Sequence, residues 1–186
     1  MSVVRPVPEV RQPQRVARQR RRTHLFAQDG GGIDIRELTD ADIERVDAVL
    51  PLSRLDGAGT YLVAWEEDEP VGHAHVAWEN TKLSIPAVQD VFVRSDRRRQ
   101  GVATELMRAA ERLAAKRGHQ QIGLSYGAAN EAARRLYEKL GYRRAGIPPE
   151  RIRGSIVIRG ESVEVDETLV YLVRDLLVDS SRLRSS

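Results

Sequence analysis

An apolar strand that runs through an arginine-rich loop into a helix beginning at glycine is the feature that most constrains this chain. Residues 91–104 read VFVRSDRRRQGVAT, and Gly101 opens a strong helical pattern. The first turn of a helix has unpaired N–H groups and carries the positive end of the helix dipole. Glycine lets a ligand approach the backbone closely. The stretch therefore predicts a cradle for linked phosphate groups.

Two other phosphate-binding patterns are missing from the sequence. Neither the lysine-containing P-loop G-x-x-x-x-G-K-[ST] nor the dinucleotide fingerprint G-x-G-x-x-G is present. Arg97, Arg98 and Arg99 would add positive charge around the phosphates. A basic surface loop before an ordinary core helix stays open as an alternative, because runs of charge are usually solvated.

The periodicity of apolar residues predicts a mixed α/β domain over residues 33–176. A short strand at 33–38 precedes a helix that Thr39 would cap together with Asp42, with an apolar face reaching Leu50. Helices are also expected at 101–117 and 130–140, and strands at 60–66, 71–78, 88–93, 121–126, 142–146, 152–158 and 168–175. This order indicates a mixed, mostly antiparallel twisted sheet of about six to eight strands, flanked by helices.

Both ends of the chain differ from this domain in composition. Residues 1–24 hold seven arginines and one acid, Glu9, and residues 30–32 are all glycine. We expect a disordered tail over residues 1–32 and a frayed end over 177–186. A basic arm can also bind nucleic acid, which we leave as an alternative without expecting it.

The absence of cysteine excludes disulfides, zinc–thiolate sites and cysteine nucleophiles, and it fits a reducing cytoplasm. No apolar run approaches the ~20 residues that span a bilayer, and no apolar signal segment follows the N-terminal arginines. We therefore expect no membrane partner. His73 and His75 lie two apart without an evident third ligand, so no metal site is expected.

Two motifs resemble a known family. Residues 98–103, RRQGVA, resemble the acetyl-CoA signature [QR]-x-x-G-x-[GA] of the GNAT superfamily of N-acetyltransferases. Residues 130–142, NEAARRLYEKLGY, resemble its N-x-x-A-x-x-x-Y-x-x-x-G-[FY] segment. The resemblance covers roughly residues 33–175. It implies the GNAT fold and transfer of an acetyl group from acetyl-CoA to an amine.

The resemblance also implies where acetyl-CoA, the acetyl donor, would bind. The strand before the basic loop would splay from its parallel neighbour, and its backbone would pair with pantetheine and polarise the thioester carbonyl. The backbone at the start of the following helix would hold the pyrophosphate. The implied donor-binding residues are Val91, Phe92, Val93, Arg98, Arg99, Gln100, Gly101, Val102, Ala103, Thr104, Asn130 and Arg134.

Two catalytic residues are implied in the same way. Tyr137 matches the family's tyrosine near the thioester sulfur, a general acid for the CoA thiolate, although it could simply be a core tyrosine. Related members often carry a carboxylate at the position of Gln89, which cannot act as a base. Asp90 is the candidate base, but strand alternation turns it to the opposite face unless a bulge turns it back. Pairing of Asp90 with a loop arginine, or a role for His73 and His75 in its place, is the alternative.

Other functions stay as alternatives. Residues 123–127, GLSYG, match the G-x-S-x-G elbow of serine hydrolases, but all four histidines precede Ser125, whereas that fold needs one after it. A tRNA- or protein-directed enzyme, or a non-catalytic acyl-CoA-binding regulatory domain, could dock through the arginine tail. We expect instead a small-molecule amine acceptor, with Trp78 and the loop 79–86 bordering its pocket, and leave a homodimer open.

Overall fold

The structure is a computed structural model that describes residues 32–55, 59–158 and 161–176. The predicted tails fall almost wholly outside these residues, so their disorder stays a prediction. The strands are β1 (Asp34–Glu37), β2 (Gly59–Glu66), β3 (Glu69–Ala77), β4 (Ala87–Val93), β5 (Gln121–Gly127), β6 (Arg143–Arg144), β7 (Glu150–Ile158) and β8 (Glu161–Asp175). The helices are α1 (Ile43–Asp47), α2 (Val102–Lys116) and α3 (Glu131–Lys139). None of the helices in the described ranges is long and apolar enough to cross a bilayer.

The strands form one sheet in the order β1-β2-β3-β4-β5-β8-β6, with β7 paired to β8. Every pair is antiparallel except β4 with β5, which is parallel. A parallel pair needs a crossover, and α2 supplies it between these two strands. The predicted mixed, mostly antiparallel sheet flanked by helices is confirmed.

The sheet has two buried faces, because apolar residues alternate along its central strands. On the face covered by α2, which we call the α2 face, Leu62, Val76 and Leu124 pack with Leu106 of the helix. On the opposite face, which we call the α1 face, a smaller cluster is formed by Val46, Leu50, Leu52, Tyr61, Val63 and Trp65. Fully burying a leucine such as Leu106 contributes about 1.5–3 kcal/mol.

A glycine in β3 sets how closely α2 approaches the sheet. A Cβ atom on Gly72 would lie 2.9 Å from the carbonyl oxygen of Phe92 and 3.1 Å from Cγ1 of Val102. Only glycine leaves room for this contact. The first turn of α2 is thereby held against the end of β4, which positions it for the site described below.

Two sequence predictions need correction. The helix expected from Thr39 to Leu50 is short: α1 has five residues, preceded by a 3-10 turn, Asp40–Asp42. The Thr39 hydroxyl donates to the Asp42 carboxylate (2.6 Å), so it caps no backbone N–H. The C-terminal strands are longer than predicted, because β7 and β8 pair with each other along their length beyond the reach of β5.

Candidate active site

The parallel strands β4 and β5 separate soon after they meet. They pair at Ala87 with Gly123 and at Val88 with Leu124, and residues 89–93 continue without a partner in β5. Because parallel strands end at the same edge of a sheet, the loop after β4 and the start of α3 both flank the opening. A gap edged by unpaired strand backbone therefore opens toward the first turn of α2.

The main-chain amides at the N-terminus of α2 have no intrahelical partner. Gly101 is the N-cap residue, with φ +90° and no side-chain cap, and Arg99 also has a positive φ of +66°. Residues 102–104 have no earlier helical carbonyl to bond, and the ladder begins at Glu105, whose N–H donates to Gly101 (3.1 Å). A Cβ at Gly101 would meet nothing within 4 Å. This is the concave arrangement of amides that binds anions.

The loop arginines do not all face this concavity. The Arg97 Nε atom lies 2.5 Å from Glu66, and its Nη1 atom lies 3.0 Å from Asp96. The expectation that Arg97 charges the cradle is therefore wrong, because its guanidinium is neutralised by acids of the loop and of β2. Arg98 instead donates from Nε to the Val93 carbonyl (3.1 Å), at the end of the unpaired edge of β4. Its charge lies between the gap and the start of α2.

The side chains of the second motif lie at the other border of the gap. The Asn130 Oδ1 atom accepts from the N–H of Ala133 (3.0 Å) and so caps α3. Arg134 forms ion pairs with Glu131 (2.7 Å) and Glu138 (3.1 Å) on its own helix. Both side chains thus have local roles in α3, and their contact with a donor molecule stays a prediction.

A β-bulge in β4 reverses the orientation predicted for Asp90. His75 lies opposite Gln89 and His73 opposite Phe92, so one residue of β3 faces two of β4. Asp90 has a positive φ of +50°, a conformation that only the bulge accommodates here. Asp90 and Gln89 consequently both lie on the α1 face, where simple alternation would have placed them on opposite faces.

The carboxylate of Asp90 is held by two donors from distant parts of the chain. Oδ2 accepts from the Tyr61 hydroxyl (2.6 Å) and from the Ser53 N–H (3.2 Å). The Tyr61 oxygen in turn accepts from the Arg54 N–H (2.9 Å). Burial and the hydrogen bond to Asp90 raise the pKa of Tyr61, so it stays a donor. Among the residues that the structure describes, no arginine of the loop after β4 pairs with Asp90, so this alternative prediction is wrong.

Tyr61 is a site residue that our sequence reasoning missed. Its hydroxyl lies 29 residues from Asp90 along the chain, and within β2 it continues the apolar pattern of Val63 and Trp65. No local pattern distinguishes it from a core tyrosine. Only the pairing of β2, β3 and the bulged β4 brings the two side chains together.

His73 and His75 line the α1 face beside this network as neutral side chains. Both are buried, and the His73 ring stacks on Phe92 with centroids 5.7 Å apart. Burial lowers the pKa of both residues, and burial together with the charge of Arg54 lowers that of His75 to about 4. Across the described ranges, no three His, Cys, Asp or Glu side chains are grouped to hold a metal ion.

We expect His75 to make the protein less stable in mild acid. Its pKa is lowered on folding, so between pH 6.5 and about 4 the unfolded chain binds more protons, and the free energy of unfolding falls as the pH is lowered. The loss amounts to roughly 2–3 kcal/mol across that window. Chemical denaturation at pH 7.5, 5.5 and 4.5 measures it. The matched variant His75→Gln should show a shallower decline, and parallel curves for the two proteins would contradict the prediction.

Tyr137 lies on the opposite face from Asp90. It is buried in α3 among the residues of the α2 face, with its ring centroid 6.1 Å from that of Tyr126 and 6.0 Å from that of Tyr142. Burial raises its pKa to about 12, so the hydroxyl keeps its proton at ordinary pH. Tyr137 and Asp90 therefore lie on opposite faces of the sheet.

Two other sequence hypotheses concern β5 and the far end of β4. Ser125 lies within β5, opposite Tyr171 of β8. A nucleophile elbow requires the serine at a strand-to-helix turn, so the hydrolase hypothesis is wrong.

Trp78 stacks on His119 (5.9 Å) and lines a cavity of about 670 Å³ with Pro86, before the paired residues of β4 and β5. It therefore lies on the side away from the gap.

The comparison with protein families assigns this architecture. The sequence matches the model of the acetyltransferase (GNAT) family over residues 23–142. The chain belongs to the GNAT acetyltransferase family. The start of α2 and the splayed strands β4 and β5 lie inside the matched region, and the resemblance to this family is confirmed.

Solved GNAT structures share the fold at low sequence identity. The ribosomal-protein-S18-alanine N-acetyltransferase from Escherichia coli has a TM-score of 0.58 at 17% identity, over 78% of this chain and 94% of that one. A GNAT family acetyltransferase from Elizabethkingia anophelis with acetyl-CoA bound has a TM-score of 0.54 at 16% identity, over 77% of this chain and 98% of that one. A mutant spermidine/spermine N-acetyltransferase from Vibrio cholerae has a TM-score of 0.58 at 15% identity, over 77% of this chain and 95% of that one. At these identities the likeness shows the fold.

Proposed function

We propose that this GNAT protein transfers the acetyl group of acetyl-CoA to a primary amine by direct attack. The observation that carries the proposal is the gap between β4 and β5. It opens beside the exposed amides of α2, and it separates Asp90 on the α1 face from Tyr137 on the α2 face. A thioester held in this gap would be open to an amine on one side and to a proton donor on the other.

Donor binding would use the part of β4 that has no partner in β5, together with the first turn of α2. The amides of pantetheine would replace the missing β5 neighbour along residues 91–93, as an added strand does at a sheet edge. The pyrophosphate would accept from the main-chain N–H groups of residues 99–104, with Arg98 beside them. Asn130 and Arg134 would border the other side. The bound acetyl-CoA of the Elizabethkingia anophelis relative supports this choice of donor.

The transfer step needs one proton acceptor and one proton donor. The amine nitrogen forms a bond to the thioester carbonyl carbon as its proton passes to the carboxylate of Asp90. The carbon–sulfur bond then breaks, and the leaving thiolate takes the proton of the Tyr137 hydroxyl. No covalent acetyl-enzyme is expected, because the chain has no cysteine to form one.

Removing the Tyr137 hydroxyl should slow the reaction without unfolding the protein. We expect Tyr137→Phe to lower kcat about 10-fold, less than the 10²–10⁴-fold typical of general acid–base catalysis, because water can protonate the thiolate in its place. The aromatic ring and its packing against Tyr126 and Tyr142 are kept. Steady-state kinetics with thermal denaturation as a control measure the change. An unaltered kcat would leave Tyr137 as a core residue.

The acceptor class is proposed from chemistry and from relatives. Two of the solved relatives are, by name, enzymes that acetylate the amine of an alanine or of spermidine and spermine. The test is acetyl-CoA turnover over a panel of polyamines, amino acids, aminoglycosides and peptide N-termini, read as release of the free thiol. Turnover of a small amine is the expected result. Turnover of peptides alone would favour a protein-directed enzyme, and CoA binding without any turnover would favour a regulatory domain.

A further inference from the structure

We infer that Tyr61 is the positioning residue of the reaction, which it serves by holding the Asp90 carboxylate at the gap. The inference rests on the proposed function, in which Asp90 acts as the general base. The argument for Tyr61 itself comes from the geometry around one carboxylate oxygen.

Three separate elements converge on that oxygen. Tyr61 of β2 donates to Oδ2 at 2.6 Å, and the backbone of Ser53, in the segment after α1, donates at 3.2 Å. Asp90 itself belongs to the bulge of β4. Both donors bind Oδ2, and within the described residues no donor reaches the second oxygen, Oδ1, which can then receive a proton. The side chain is half-buried rather than enclosed. The network fixes the orientation of the carboxylate without occupying it fully.

The hydrogen bond from Tyr61 stabilises Asp90 at a position where the bulge makes the backbone irregular. A non-glycine residue with φ near +50° is strained and needs compensating interactions, which are often found at functional sites. The Tyr61 ring is almost fully buried and its oxygen is fixed by the Arg54 N–H at 2.9 Å. It therefore provides a rigid anchor for a carboxylate whose own backbone is irregular.

The groups around Asp90 leave the tyrosine as its main side-chain donor. The titratable and charged side chains packed on this face come from β2, β3, α1 and the segment after α1: Tyr61, His73, His75, Asp47 and Arg54. The two histidines are neutral above mild acid, since burial lowers the pKa of each. Among the residues that the structure describes, Tyr61 is thus the one whose side chain donates a hydrogen bond to Asp90.

The test uses two variants with the same chemical change. Tyr61→Phe removes the donor to Asp90, whereas Tyr171→Phe removes a hydroxyl that donates to a different carboxylate, Glu150 (2.9 Å). We expect Tyr61→Phe to lower kcat at least about 10-fold with KM for acetyl-CoA unchanged. This split between kcat and KM separates a loss of carboxylate positioning from a loss of donor binding. Tyr171→Phe should leave both as in the wild type.

A double variant separates positioning from packing. In the Asp90→Asn background, Tyr61→Phe should lower kcat no further, because the base that the hydroxyl positions is already gone. An equal fall in kcat in both backgrounds, or an unchanged kcat in Tyr61→Phe alone, would reduce Tyr61 to a packing residue. Failure of the proposed function would look different, because the wild type itself would then acetylate no amine, whether or not it binds CoA.

Discussion

Gly101→Glu should weaken CoA binding about 100-fold, because a carboxylate would then occupy the space into which the amides of α2 point. A side chain at this position meets no protein atom within 4 Å, so the space in front of it is open for a ligand. An added negative charge repels phosphate and shields the N–H groups of residues 102–104. Isothermal titration with CoA measures the effect directly and needs no knowledge of the acceptor.

The matched control lies at the other end of the same helix. Gly118 follows the last turn of α2, has φ +87° against +90° for Gly101, and also faces open space. Gly118→Glu therefore carries the same backbone strain and the same charge change, without approaching the cradle. It should bind CoA as the wild type does. Equal affinity in both variants would show that the phosphates bind elsewhere.

Asp90→Asn should lower kcat by about 10²–10⁴-fold, the range expected when a positioned general base is removed. The amide keeps an oxygen that can accept from Tyr61 and Ser53, so the bulge should survive. KM for acetyl-CoA should change little, because Asp90 lies on the α1 face and the phosphate cradle lies beyond the end of β4. Stopped-time assays of thiol release at varied acetyl-CoA concentrations measure both kcat and KM.

The neighbouring Gln89 offers a rescue experiment. It shares the α1 face with Asp90 because of the bulge, and it lies opposite His75. Gln89→Glu in the Asp90→Asn background should restore part of kcat, since a carboxylate would again face the gap. Full activity of Asp90→Asn alone would contradict the assignment and would point to water as the proton acceptor.

Much of the fold follows from local patterns in the sequence. The helix pattern that begins at Gly101 and the strands on either side of it are correct within one or two residues, because their apolar periodicity is strong. The helix after Thr39 was predicted too long, since a capping pattern does not reveal that the hydroxyl prefers the Asp42 side chain. The extent of the β7–β8 pair depends on cross-strand contacts that no local window contains.

The position of the α2 start could be predicted from the sequence, because it depends on the order strand, basic loop, glycine and helix. Its role as a phosphate cradle stays a prediction, based on the free amides that every helix start has. The orientation of the Asp90 carboxylate could not be predicted from the sequence. Its direction depends on a bulge, and a bulge is a property of two paired strands. The hydrogen-bond donors to Asp90, Tyr61 and Ser53, lie 29 and 37 residues away along the chain. One of the acids that neutralise Arg97, Glu66, lies on β2. Such contacts exist only once the sheet is assembled, because strand register sets which side chains meet.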